Sequence, residues 1–104
     1  MSDRVEQLKQ FIREDPADPF NYYALALEYA KTDESKALEI LNDLIQRHKD
    51  YVPSYYQLAK LYERVGQKKS AIETFLNGIE IARQQNDLKT LRELDAALQE
   101  LSDE

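Results

Sequence analysis

The sequence of 104 residues contains no cysteine and no tryptophan, and only two glycines, three prolines and one histidine. Without cysteine the chain forms neither disulfides nor thiolate metal sites, and we predict an intracellular, cytoplasmic location. No apolar stretch approaches the roughly 20 residues that a membrane-spanning helix needs. The N-terminus alternates charged and apolar residues and does not resemble a secretory signal. The absences therefore predict a soluble protein with no membrane partner.

Catalytic chemistry is limited by the same absences. His48 is the single histidine, so the chain has no Cys–His pair, no zinc cluster and no second histidine for a di-metal site. No glycine-rich phosphate loop is present, and nothing singles out one pair of carboxylates for acid–base work. His48 lies near the end of a predicted helix, where the helix dipole favours a cation; a catalytic role is the less favoured alternative. We predict a protein that is not an enzyme and that has no cofactor and no metal.

The charge is negative throughout. The 20 acidic residues outnumber the 14 basic ones, which gives a net charge of −6. Both halves of the sequence are acidic, and neither end carries a basic arm. Nucleic acid and anionic membranes are repelled by such a chain on average, so we predict no nucleic-acid partner.

The residues that are abundant favour helices. Ala, Leu, Glu, Lys, Gln and Arg dominate, and no alternating apolar run has the length of a strand. Pro19 and Pro53 suit the first turn of a helix, and Gly66 suits the left-handed residue after one. The pattern predicts an all-α fold with six helices, at about 3–14, 19–31, 34–48, 53–65, 68–85 and 88–101.

An internal repeat is visible in two tyrosine-rich segments. Residues 22–29 read YYALALEY and residues 55–62 read YYQLAKLY, at an offset of 33. The shared residues have the spacing 0, 3, 4, 7 of one helix face, so we predict that their tyrosines are core residues. Each segment is followed by a second amphipathic helix. In the second of these, Gly78 is predicted to make room for a packed neighbour. The matched residues of the two segments are Tyr22, Leu25, Ala26 and Tyr29, then Tyr55, Leu58, Ala59 and Tyr62.

These residues resemble the tetratricopeptide repeat, a helix–turn–helix of 34 residues. The second copy carries the family pattern well, whereas the first lacks one residue and the turn glycine and has Leu44 where a small residue is usual. The second copy matches at Tyr55, Leu58, Ala59, Tyr62, Gly66, Ala71, Phe75 and Gly78. The resemblance implies a right-handed stack of antiparallel helix hairpins, an α-solenoid, forming a single domain over 1–104. Its predicted parts are a half-repeat helix at 3–14, repeat 1 at 19–51, repeat 2 at 52–85 and a C-terminal capping helix at 86–104.

The resemblance implies a function in protein–protein interaction. Members of the family bind peptides or protein segments on a concave face, and we expect an unknown protein or peptide partner here. Tyr23 and Tyr56 have an alternative role, packing against the terminal helices, and the sequence leaves the two roles open. The concave positions carried over from the family are Phe20, Tyr23, Leu27, Lys31, Tyr56, Lys60, Glu63 and Arg64.

Two further features qualify this interpretation. Some members bind the C-terminal carboxylate of heat-shock chaperones through a Lys and an Asn. Those places hold Tyr23 and Leu27 in repeat 1, and Tyr56 and Lys60 in repeat 2, so the resemblance does not extend to that ligand. Leu91, Leu94, Leu98 and Leu101 in the C-terminal helix have a coiled-coil-like spacing. That helix is expected to cap the last repeat. The alternative function is a structural protein that associates with itself as a homodimer through the C-terminal helix.

Overall fold

Six α-helices and no β-strand form residues 3–104, which are the residues that the computed structural model describes. The predicted all-α class is therefore confirmed. No helix in this range combines the length and the apolar character that crossing a bilayer requires. The helices are α1 (Asp3–Glu14), α2 (Pro19–Tyr29), α3 (Glu34–Arg47), α4 (Pro53–Arg64), α5 (Lys68–Gln84) and α6 (Leu88–Ser102).

Three aspartates begin helices. The side chains of Asp18, Asp33 and Asp87 each accept a hydrogen bond from a backbone N–H two or three residues further on. Each bond satisfies an N–H that the first helical turn leaves without a carbonyl partner. Hydrogen bonds from Thr90, through its side chain and its backbone, lower the pKa of the Asp87 carboxyl. Pro19 follows Asp18 at the start of α2, as the sequence predicts.

Left-handed residues end two of the helices. Gly66 follows α4 with a φ of 84°, and Asn86 follows α5 with a φ of 57°. In both turns the next residue's N–H bonds to the carbonyl five residues back, at 2.8 and 2.9 Å. This is the Schellman arrangement, which needs glycine or asparagine at that position. The predicted role of Gly66 is confirmed, whereas the left-handed Asn86 was not predicted.

The end of α2 differs from the prediction. The helix ends at Tyr29, two residues before the predicted end at residue 31. The N–H groups of Thr32 and Asp33 both turn back to the Tyr29 carbonyl, at 2.9 and 2.6 Å. These bonds close a tight turn in place of another helical turn. Lys31 therefore lies in the turn and not on α2, which corrects the helix boundary.

The chain divides into two units, Met1–Tyr51 and Val52–Glu104. In unit 1, α2 packs against both α1 and α3. In unit 2, α5 packs against both α4 and α6. The description of residues 1–104 as a single domain remains a prediction.

The four repeat tyrosines are not equally buried. Tyr55 is 4% exposed, as predicted for a core residue. Tyr22, Tyr29 and Tyr62 are only half-buried, and Tyr29 packs against the core of Val5, Leu8 and Leu25. Tyr22 shows one reason, because its hydroxyl donates to the Pro16 carbonyl at 3.1 Å and so holds the ring at the edge of unit 1.

Gly78 confirms its predicted role in unit 2. A Cβ atom at this position would lie 2.6 Å from Cβ of Tyr55 and 3.1 Å from Cδ1 of Leu94. Only glycine leaves enough room for side chains of α4 and α6 to approach α5 this closely. Glycine costs about 1 kcal/mol of helix propensity relative to alanine. The close packing that it allows is expected to be worth more than this cost.

Candidate functional site

An aromatic cluster forms around the start of α2 in unit 1. The ring of Tyr23 lies between those of Phe20 and Tyr51, with centroid distances of 6.5 and 5.7 Å. The Tyr23–Tyr51 pair meets edge to face, the arrangement that aromatic quadrupoles favour. Phe20 remains 52% exposed. Unit 1 therefore presents a large apolar ring to solvent, in contact with Tyr23, which itself packs against Tyr51.

Tyr51 is the member of this cluster that the sequence analysis missed. It lies after α3, outside any helical periodicity, so no pattern of spacing assigned it to the same place as Tyr23. The only signal in the sequence is an aromatic residue in the segment that connects two predicted helices. Burial, followed by the nearby Tyr23 and Asp18, raises the pKa of the Tyr51 hydroxyl. The phenol is therefore neutral at physiological pH.

The other predicted residues of unit 1 lie at different levels of exposure. Leu27 is half-buried on the same side of α2 as Tyr23, four residues further along. Lys31 is exposed in the turn after α2, where its Nζ lies 2.8 Å from a carboxylate oxygen of Glu28. The α2 face is thus aromatic at its start, aliphatic in its middle and charged beyond its end.

In unit 2 the predicted residues lie along α4. The half-buried Tyr56 ring meets Phe75 of α5 edge to face, with centroids 6.3 Å apart. Lys60 and Glu63 form an ion pair at 3.3 Å, in which the Glu63 oxygen is shielded from solvent. Arg64 is exposed at the last residue of the helix. The α4 face is therefore more polar and more strongly charged than the α2 face.

A groove with a volume of about 610 Å³ opens on the other side of α2. Leu25 and Tyr29 lie there, each about 200° round the helix from Tyr23 and Leu27 respectively. Half-buried apolar side chains from α1 and α3 complete its base, and charged side chains form its rim. We call this the unit 1 groove. It is lined by Lys9, Ile12, Arg13, Tyr22, Leu25, Tyr29, Lys36, Glu39, Ile40 and Asp43.

A smaller pocket of about 410 Å³ lies beside the aromatic cluster, between the start of α2 and the end of α3. Pro19, His48 and Tyr51 are among its lining residues. His48 ends α3, and its backbone N–H donates to the Leu44 carbonyl at 2.8 Å. Within residues 3–104, no group of three or more His, Cys, Asp or Glu residues is placed to hold a metal ion.

Comparison with known proteins identifies the repeat. The family model described as Anaphase-promoting complex subunit 5 matches residues 18–104. A solution NMR structure of a tetratricopeptide repeat domain protein from Salinibacter ruber is 45% identical, with a TM-score of 0.80, over 84% of this chain and 89% of that chain. A crystal structure of a tetratricopeptide repeat domain protein from the same organism is 43% identical, with a TM-score of 0.77, over 82% and 97% of the two chains.

A more distant structure shows the same fold. The TPR2B domain of yeast Sti1, in a complex with pHsp70, has a TM-score of 0.86 at 24% identity, over 95% of this chain and 80% of that chain. No curated protein gives a significant match. The six helices, the internal repeat and the Salinibacter relatives agree with one another: the chain belongs to the tetratricopeptide repeat family.

Proposed function

We propose that the chain is a non-catalytic interaction module that binds a peptide or protein segment through the exposed faces of α2 and α4. The α2 face is formed by Phe20, Tyr23 and Leu27, and Lys31 lies next to it in the turn after the helix. The α4 face is formed by Tyr56, Lys60, Glu63 and Arg64. By family resemblance these are concave-face positions.

The observation that carries this proposal is the aromatic cluster. Phe20 is 52% exposed, although its ring lies next to that of Tyr23, which packs edge to face against Tyr51. Exposed aromatic rings on a firm support supply much of the energy at protein interfaces, because they bury a large area with little loss of side-chain freedom. Phe20 is therefore the residue expected to anchor an apolar side chain of the partner.

The α4 face supplies polar recognition. Lys60 and Arg64 are cations one turn apart, and Tyr56 presents part of its ring near the start of the same helix. Ion pairs at a partly exposed rim add orientation and association rate more than affinity. For the α4 face we propose partner groups that are acidic or carbonyl in character, which would meet Lys60 and Arg64.

A peptide is the class of partner that the relatives support. Yeast Sti1, whose TPR2B domain shares this fold, is in a complex with pHsp70. The chaperone-binding Lys and Asn positions hold Tyr23 and Leu27 in this chain. We therefore propose a peptide ligand other than a chaperone C-terminus. A cytoplasmic location and the absence of a nucleic-acid partner belong to the same proposal.

The test compares two exposed phenylalanines of unit 1. Phe20→Ala removes the proposed anchor, and Phe11→Ala, at a residue 38% exposed on α1, is the matched control. Partners captured from native lysate by wild type are identified by mass spectrometry, purified and titrated against both variants by calorimetry. We expect Phe20→Ala to weaken binding by about tenfold or more, which corresponds to about 1.4 kcal/mol. Lys60→Ala is expected to weaken it by a smaller factor.

Circular dichroism confirms that each variant remains helical before it is titrated. A partner that binds Phe20→Ala and Lys60→Ala with wild-type affinity would contradict the assignment of these two faces. A partner lost equally by Phe20→Ala and Phe11→Ala would point to a general loss of unit 1 structure.

A further inference from the structure

We propose that the unit 1 groove binds helix α6 of a second copy of this chain. This surface is separate from the α2 and α4 faces of the proposed function, because Leu25 and Tyr29 lie on the opposite side of α2 from Tyr23 and Leu27. Four observations support it: the apolar base of the groove, the order of charges along its rim, the leucines of α6 and the position of Asp95.

The groove has the character of a site for one face of a helix. Ile12, Tyr29 and Ile40 pack against the small core of Val5, Leu8 and Leu25 and are only partly buried. Their remaining apolar surface lines an open volume of about 610 Å³. Amphipathic helices bind such grooves through apolar side chains spaced three, four and seven residues apart. The occupant is therefore expected to be a helix with an apolar strip.

Charges are unevenly distributed along the groove. The Tyr29 end adjoins the start of α3, since the N–H of Asp33 bonds to the Tyr29 carbonyl, and Lys36 follows in the first turn of α3. Lys9 lies on α1 one turn before Arg13, towards the same end. Two lysines thus mark the Tyr29 end of the groove.

The other end of the groove is mixed in charge. Tyr22 bonds to the Pro16 carbonyl just after α1, so this end holds Arg13 from the last turn of α1 and Asp43 from the second half of α3. The lysines at the first end have only weak partners in the chain, because Lys9–Glu6 and Lys36–Glu39 are exposed pairs at 3.9 and 3.7 Å. An acidic segment of a partner can therefore form ion pairs with Lys9 and Lys36.

Helix α6 carries the complementary pattern. Leu88 is 52% exposed, and Leu91 and Leu98 are half-buried on the same side of the helix. Arg92 lies near the first end of this strip, and Asp95 and Asp103 lie further along. Docking the C-terminal end of α6 at the Lys9 and Lys36 end of the groove pairs these acidic groups with the lysines and brings Arg92 towards Asp43.

Asp95 favours the groove over a second α6 as the partner. It lies within the leucine strip and accepts one hydrogen bond from Gln99 Nε2 at 3.1 Å. A cation from a covering partner would offset the further loss of water from its charged carboxylate. In a pair of α6 helices the two Asp95 carboxylates would lie near each other, whether the helices run parallel or antiparallel, and like charges repel. The unit 1 groove offers lysines at that place.

Sedimentation velocity on the full chain tests the proposal. The protein concentration is varied from about 10 µM to about 1 mM, the range in which a small and weak interface associates. Wild type is expected to associate. Leu88→Glu, Lys36→Glu and Asp95→Lys are each expected to weaken the association by about tenfold. The matched control is Leu76→Glu, which changes an α5 leucine that is also 52% exposed and leaves the association intact.

A mixture of two variants decides between the groove and any other surface. In a pair formed by one Lys36→Glu copy and one Asp95→Lys copy, one groove meets the reversed charges and the other meets the wild-type charges. We therefore expect the mixture to associate about tenfold more tightly than either variant alone. The proposal would be overturned if wild type stayed monomeric over the whole concentration range. It would also be overturned if Lys36→Glu and Asp95→Lys associated with wild-type affinity.

Discussion

The two units of the chain use one helix pattern with different packing. Tyr22 in unit 1 and Tyr55 in unit 2 occupy the same place in the repeat. Tyr55 is 4% exposed and contacts the helix of Gly78, whereas Tyr22 is half-buried and lines an open groove. A repeat residue thus specifies the face of a helix, and the neighbouring helices decide how completely that face is covered.

One repeat position, which is small in the family pattern, accounts for part of the difference. Gly78 allows side chains of α4 and α6 to approach α5, and Phe75 on α5 is fully buried. In unit 1 the corresponding small position holds Leu44, which is itself 2% exposed and fills space inside the unit. The more regular repeat therefore buries its tyrosine in the core, and the degenerate repeat leaves aromatic and apolar surface exposed.

The largest expected effect comes from replacing the two equivalent tyrosines. Tyr55→Ala removes a fully buried ring and is expected to lower the free energy of unfolding by about 3–5 kcal/mol. Tyr22→Ala removes a half-buried ring with one hydrogen bond, and about 1–2 kcal/mol is expected. Chemical denaturation followed by circular dichroism measures both values. Equal losses would show that the groove is closed in solution and would remove the contrast between the units.

A smaller effect is expected at the close contact of unit 2. Gly78→Ala places a methyl group 2.6 Å from Cβ of Tyr55, so α4 must shift. Overpacking of this kind lowers stability by about 1–3 kcal/mol, against a gain of about 1 kcal/mol from helix propensity. We expect a net loss in the free energy of unfolding, and for the exposed neighbour Asn77→Ala a gain of a few tenths. A Gly78→Ala protein more stable than wild type would mean that the helices approach less closely.

Much of the fold was predictable from local signals. Helical spacing, the prolines at the starts of α2 and α4 and the glycine after α4 defined six helices with ends correct to within about two residues. The repeat predicted the hairpins, because the same face recurs at Tyr22 and Tyr55. The resemblance to the tetratricopeptide repeat placed Phe20 on an exposed face, and Phe20 is exposed.

The remaining features depend on contacts that spacing does not encode. Tyr51 meets Tyr23 because the chain turns back after α3, and nothing in the helical pattern specifies that turn. Tyr29 has the spacing of a core residue, and its partial exposure follows from how α1 and α3 lie beside α2. The unit 1 groove was missed for this reason, since its base consists of residues that the sequence assigned to the core.

The smallest expected effect is a change in the stability of unit 1 with pH, caused by Tyr51. Tyr51 has a pKa raised above its ordinary value near 10 by burial, by Tyr23 and by Asp18, so folding favours its neutral form. The stability that this gives is fully present below pH about 10 and is lost as the pH rises through the raised pKa. Wild type is therefore expected to lose more stability than Tyr51→Phe under alkaline conditions, measured as the difference between their denaturation curves.

Asp18→Asn keeps the α2 cap and removes one cause of the shift, so it should lower the pKa of Tyr51 in an ultraviolet titration. A hydroxyl that titrates identically in Asp18→Asn and wild type would show that Asp18 does not act on Tyr51, and burial and Tyr23 would then account for the whole shift.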